Sequence, residues 1–215
     1  PIGACNHRCT FCSVDYLGYV NVSQDKEVLL SRLKEMATKG VKSVMFAGEG
    51  EPALWGPLPE VLEETKTFGI DMSMTTNMIP FTSSNTEKFV ANCTWIKASI
   101  NAGNKKGYEE IHQTKGSDFD LALNNLERSA QIKSQKNYEC TLGAQMLLLP
   151  ENRDQVEELA LRLKDTGINY FVVKPYTQSL YGLSRKYQGL QYDDMMHLEA
   201  RLQEISTDSF EIVFR

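Results

Sequence analysis

The sequence predicts an α/β protein, a partial TIM-type (β/α)6 barrel built on a parallel sheet. Short apolar, β-branched runs alternate with longer segments whose apolar residues recur at helical spacing. Each helical segment returns the chain to begin the next strand in the same direction, so neighbouring strands are parallel and right-handed crossovers curl the sheet. Finally, 215 residues at 41% hydrophobic suffice for one substantial core, and no composition break divides them. One domain over 1–215 is therefore expected. The chain opens on Pro1 rather than Met, so a piece of a longer protein, cut at both ends, is expected as well.

Residues 1–4 read as the last part of a first strand. Segment 23–39 reads as a helix with Ser23 as cap, Val28, Leu29, Leu33 and Met36 on one face, and Gly40 as its stop. Strand 41–48 follows, then helix 59–68 closed by Gly69, strand 70–77, a short helix 85–92 and strand 95–101. A long helix at 119–135, strand 140–149, helix 152–166 closed by Gly167, strand 170–176 and helix 192–205 complete the cadence. Residues 210–214 are an apolar stub, either a seventh strand or part of sequence further on. The connections 102–118 and 177–191 are longer than a turn requires. Both follow strand C-termini, where ligands bind in such sheets, so both are candidate lids or substrate loops; ordinary solvated loops are the alternative.

Charge and composition exclude several classes. Lys and Arg number 23 against 28 Asp and Glu, a net charge of -5, and no basic run is long enough to track a phosphate backbone, which disfavours a nucleic-acid partner. No window approaches the roughly 18 apolar residues of a membrane span, and no secretory signal opens the chain, so no membrane partner and a cytoplasmic location are expected. Five cysteines, three of them within eight residues, fit metal chemistry in a reducing compartment better than disulfides.

Those three are Cys5, Cys9 and Cys12, in the run Cys-Asn-His-Arg-Cys-Thr-Phe-Cys. Three thiolates this close can converge on one inorganic centre. A four-iron cluster with three protein ligands leaves one iron open for chemistry. Zinc with His7 as fourth ligand is the alternative, weakened by the lack of a second Cys/His pair; His7, His112 and His197 otherwise read as polar loop or surface residues. Cys93 and Cys140 stand at strand starts, about 20 Å along the sheet from a loop at strand ends, and read as small buried hydrophobes.

With Phe11 just before the last cysteine, this array resembles the signature of the radical S-adenosylmethionine superfamily. Gly48-Glu49-Gly50-Glu51-Pro52 is similar to the family's Gly-Gly-Glu-Pro stretch, with Glu49 at the first Gly position. Thr75-Thr76-Asn77 is similar to its Thr-Asn-Gly, with Met78 in place of Gly, and the run from Lys97 to Asn101 is similar to its next strand, with Asn101 in place of an acid. The resemblance implies an enzyme with a 4Fe-4S cluster on Cys5, Cys9 and Cys12 and S-adenosylmethionine beside it. It implies cofactor contacts from Phe11, Gly48, Gly50, Glu51, Pro52, Thr76, Asn77, Ser99, Asn101, Gln145 and Val173, with Glu51 the favoured carboxylate for the methionine ammonium. It further implies cleavage of the cofactor to a 5'-deoxyadenosyl radical, hydrogen abstraction from a small-molecule or peptide substrate, and a ferredoxin or flavodoxin type reductant as partner. Lys174, at the mouth of the barrel, and Tyr16, beyond the cysteine loop, are the candidate substrate contacts. An iron–sulfur electron-transfer or regulatory module that leaves the cofactor intact is the second reading.

Overall fold

The computed structural model describes residues 1–215. Six strands, β1 (Ser43–Phe46), β2 (Asp71–Thr76), β3 (Cys93–Ser99), β4 (Thr141–Leu148), β5 (Tyr170–Pro175) and β6 (Glu211–Phe214), form one sheet in sequence order. Every neighbouring pair is parallel. Helices α1 (Lys26–Thr38), α2 (Leu58–Thr67), α3 (Thr86–Asn92), α4 (Lys105–His112), α5 (Ser117–Lys136), α6 (Val156–Asp165) and α7 (Leu198–Ile205) fill the crossovers. This is the predicted partial (β/α)6 barrel.

Two strand expectations change. Residues 1–4 do not enter the sheet. Ile2 bridges Ser23 antiparallel, the Gly3 N–H reaches the Val22 carbonyl at 2.9 Å, and the Gln24 N–H reaches the Pro1 carbonyl at 2.8 Å. The apolar stub supplies the sixth strand instead: Ile212 is buried, and β6 pairs along β5 from Tyr170–Glu211 to Val173–Phe214. At α1 the cap is Asp25, whose carboxylate accepts the Val28 N–H at 2.9 Å, two residues later than the expected Ser23.

Strand alternation divides the sheet into two faces. Ile96, Ala98, Leu142, Ala144, Met146, Phe171 and Val173 are buried in the hydrophobic core shared with the helices. The intervening Lys97, Ser99, Gln145, Leu147, Val172 and Lys174 are only half-buried and face the barrel interior. Gly143 belongs to this inner series, and the Tyr170 ring fills the space its missing Cβ leaves, closing the interior below.

The segment 102–118 is not a lid. It folds into α4, with an Asn104 cap accepting the Gly107 N–H at 2.9 Å, and it is held inward by Tyr108 and Ile111, both fully buried. Two of its eight residues, Tyr108 and Ile111, are anchors at helical spacing with His112, and that spacing folds the segment against α5.

Candidate metal and cofactor site

The loop carrying Cys5, Cys9 and Cys12 is braced from four directions. From below, α4 offers its last carbonyls, orphaned by the end of the helix: the Arg8 N–H donates to His112 O at 3.1 Å and the Thr10 N–H to Ile111 O at 2.9 Å. From β2, Asn77 Nδ2 donates to Asn6 Oδ1 at 2.8 Å. From the loop after β1, the Glu51 N–H donates to Ala4 O at 2.9 Å. From the 177–191 connection, the buried Tyr187 hydroxyl pairs with Thr10 Oγ1 at 2.8 Å and donates to Glu151 at 3.2 Å.

All three thiols are free and half-buried. Cys5 and Cys9 line a small cavity of about 170 Å³ together with Phe11, Gly48, Thr75 and Ser99. Cys9 and Cys12 line the adjoining cleft of about 530 Å³, which Leu147, Lys174 and Tyr176 complete. Burial pushes the Cys9 thiol far up, and the charges of Cys5 and Cys12 add to the effect; burial likewise raises Cys5. Burial disfavours the thiolates of Cys5 and Cys9 and neighbouring thiolates repel one another, so a cation among the three is what makes an ionised set stable. The donor set therefore fits an iron–sulfur cluster held by Cys5, Cys9 and Cys12. Cys93 and Cys140 are buried at the opposite edge of the sheet, as expected.

The polar residues expected around the cofactor differ in how they are engaged. Ser99 and Gln145 face the interior side by side in register, and Thr75, Thr76 and Asn77 border the smaller cavity with Ser99. The Thr76 hydroxyl is engaged within the protein. It donates to Glu51 Oε1 at 2.7 Å and accepts the Met78 N–H at 3.0 Å. Glu51 is 3% exposed, and its carboxylate also accepts the Ala53 N–H at 3.0 Å and the Asn77 N–H at 2.7 Å. Burial raises this carboxyl and the three donors lower it. The Glu51 side chain meets three donors of the protein and ties β2 to the loop after β1, and it also lines the smaller cavity beside Cys5 and Cys9. Pro52 opens a 3₁₀ turn, Pro52–Leu54, beneath it.

Asn101 is likewise engaged internally, accepting the Leu147 N–H at 2.7 Å. Val173 is fully buried toward the helices, so only its backbone is available to the interior. Gly48 has φ of 112°, a conformation that L residues rarely adopt, and it lines both cavities. At Gly50 a Cβ would run into the backbone of residues 2–4, so glycine there serves the packing of the loop. Met78, standing where glycine was expected, is strained at φ 67° and held by Asn125 Nδ2 on its carbonyl at 2.7 Å.

Tyr16 lies outside the two cavities. It is 45% exposed and sits 5.8 Å from the Tyr181 ring of the 177–191 connection. The neighbouring Asp15 carboxylate pins that connection, accepting the Leu183 N–H at 2.7 Å and the Ser184 N–H at 3.1 Å. Lys174 lines the cleft beside Arg215, and the charges of both lower Lys97, after burial as the larger cause.

His7 and His112 are not surface residues, each being 1% exposed. His112 Nδ1 lies 3.3 Å from Cys9 Sγ, and its ring stacks on Tyr108 with centroids 4.0 Å apart. His7 stands edge-on to His112, 3.6 Å from an Asp118 oxygen. Sequence spacing missed this pair because 103 residues separate His112 from Cys9. The signal that could have found it is the helical register of Tyr108, Ile111 and His112 on one apolar face.

The family model described as the radical SAM superfamily matches residues 1–163. No curated protein sequence matches the chain. Among solved structures, Streptococcus suis SuiB bound to S-adenosylmethionine superposes with a TM-score of 0.77 at 18% identity, covering 100% of this chain and 49% of that one. TYW1 with a lysine-pyruvate adduct gives 0.68 at 19%, covering 94% and 70%. The protein anSMEcpe with bound AdoMet and the Kp18Cys peptide gives 0.62 at 20%, covering 87% and 52%. At these identities the likeness is one of fold, and the chain spans about half the length of SuiB. A family match running from the first residue into α6, on a barrel whose cysteine loop faces the interior, settles the family: the chain belongs to the radical SAM superfamily, whose members are enzymes that bind a 4Fe-4S cluster and S-adenosylmethionine.

Proposed function

We propose that residues 1–215 form one catalytic domain that cleaves S-adenosylmethionine reductively and abstracts a hydrogen atom from a small-molecule or peptide substrate bound over the barrel mouth. The observation that carries this reading is the cysteine loop, three thiols braced on α4 and opening onto a cleft lined by hydroxyl, amide and cationic groups. When bound, the cluster supplies the electron that breaks the sulfur to 5' carbon bond of the cofactor, which then takes hydrogen from the substrate.

The chain's own residues position and exclude. Cys5, Cys9 and Cys12 hold the metal side. Thr75, Ser99 and Gln145 offer hydrogen bonds to the ribose and methionine from the inner strand faces, and Phe11 and Leu147 keep the cleft dry. Gly48 lets backbone approach the ligand. Lys174 and Arg215 meet anionic groups, the methionine carboxylate or an acid on the substrate. Such chemistry requires a low-potential donor, so a ferredoxin or flavodoxin type reductant is the proposed partner. No helix is long and apolar enough to cross a membrane.

Anaerobic reconstitution, reduction and assay of 5'-deoxyadenosine tests the reading. Wild type releases it, and Cys9→Ala reduces release to background. An intact 4Fe-4S cluster with no release would leave the electron-transfer alternative standing.

A further inference from the structure

Resting on that reading of the cysteine loop, we propose that His112 is a positioning residue: its Nδ1–H donates a hydrogen bond to the Cys9 sulfur and thereby raises the reduction potential of the cluster that Cys9 holds. The three-cysteine signature does not contain this residue.

The proton's place follows from the other ring nitrogen. His112 Nε2 receives the backbone N–H of Asn101 at 3.1 Å, and Asn101 Nδ2 lies 3.4 Å from the same atom. Both neighbours are donors, so Nε2 presents its lone pair to them; a hydrogen there would face another hydrogen. A neutral imidazole carries one proton, which is therefore on Nδ1, aimed at the sulfur 3.3 Å away. The same geometry disposes of two other roles. An imidazolium would need a second N–H at Nε2. Metal ligation through Nδ1, which the 4.8 Å grouping of His7, Cys9 and His112 would otherwise permit, needs the lone pair that the proton occupies.

The donor is immobile. Asn101 is itself fixed, through Leu147 N–H on its Oδ1 at 2.7 Å and Asn152 Nδ2 on its carbonyl at 2.9 Å. The imidazole is stacked on Tyr108 with Phe11 edge-on at 6.0 Å. The carbonyl of His112 also holds the Arg8 N–H, so ring and sulfur belong to one rigid piece. A hydrogen bond to a ligand sulfur draws off negative charge and favours the reduced cluster, and a neutral donor does so without adding net charge.

The test separates the two nitrogens. Asn at position 112 places an amide N–H2 near the site of Nδ1, whereas Gln reaches the site of Nε2 and leaves the sulfur without a donor. In reconstituted protein titrated under EPR, His112→Asn keeps the wild-type midpoint potential, while His112→Gln and His112→Leu shift it lower with iron content retained. A fully loaded His112→Gln protein with an unshifted potential, or a His112→Asn shift as large as that of His112→Leu, overturns the proposal. A second measurement needs neither variant nor cluster. In metal-free wild type labelled with 15N-histidine, NMR reports His112 as the Nδ1-protonated tautomer, and an Nε2-protonated ring overturns the proposal. That readout is independent of 5'-deoxyadenosine release, so it fails separately from the proposed function.

Discussion

Burial pushes the Cys140 thiol up to about 12, and raises Cys93 well above the ordinary thiol value. Both stay protonated in the native protein at pH 8, because a raised thiol pKa delays the reactive thiolate to higher pH. Alkylation of the metal-free native chain at pH 8 should therefore spare these two, with labelling rising only as the pH climbs toward their values; mass spectrometry reads the sites. Cys93→Ala should leave iron content unchanged. At Glu51, exchange to Gln sets an amide N–H2 against one of the three donors around the carboxylate, and a loss of about 1–3 kcal/mol is expected by denaturant unfolding of the metal-free protein. These residues also show what was legible. Cys5, Cys9 and Cys12 were readable because their spacing is local. Glu51 was identified in its motif, but its three protein donors were not legible, because a sequence does not say which groups surround a carboxylate. His112 carried no local mark at all.

At the scale of elements, β2 to β5 and the helices between them, α4 excepted, were legible from periodicity, since each of those strands is an apolar run and each of those helices has an apolar face. What periodicity could not supply was the bonding at the strand tips: Thr75 and Thr76 are equivalent in composition and both border the smaller cavity, yet only Thr76 donates to Glu51. Likewise 102–118 read as a loop because its anchors, Tyr108 and Ile111, are few and widely flanked by charge. Tyr108 is fully buried among His7, His112 and Phe119. Tyr108→Ala should cost about 3–5 kcal/mol, typical of a large aromatic truncated in a core, and should also lower iron retention, since α4 carries the cysteine loop. Stability by chemical denaturation and iron per chain check the two halves. A stability loss with undiminished iron retention would show that the loop does not depend on its buttress.

Across the whole molecule, the sheet has an inner stretch and two ends. β2, β3, β4 and β5 are each flanked on both sides, whereas β6 pairs over four residues with β5 alone. Amide exchange should be slowest in β2 to β5 and markedly faster in β6, measured residue by residue; equal protection would mean that the barrel opens only as a unit. The Asp15 carboxylate lends this arrangement one more property. It stands three residues past Cys12 and clasps the backbone at Leu183 and Ser184, while Leu180, Tyr181 and Leu183 project 85%, 72% and 70% exposed. If metal held by Cys12 keeps this loop in place, removing iron should slacken the clasp. Faster chymotryptic nicking near Tyr181 in metal-free than in reconstituted protein, read on a gel, would make that cut a gauge of metal occupancy; equal rates would show that the clasp holds without metal.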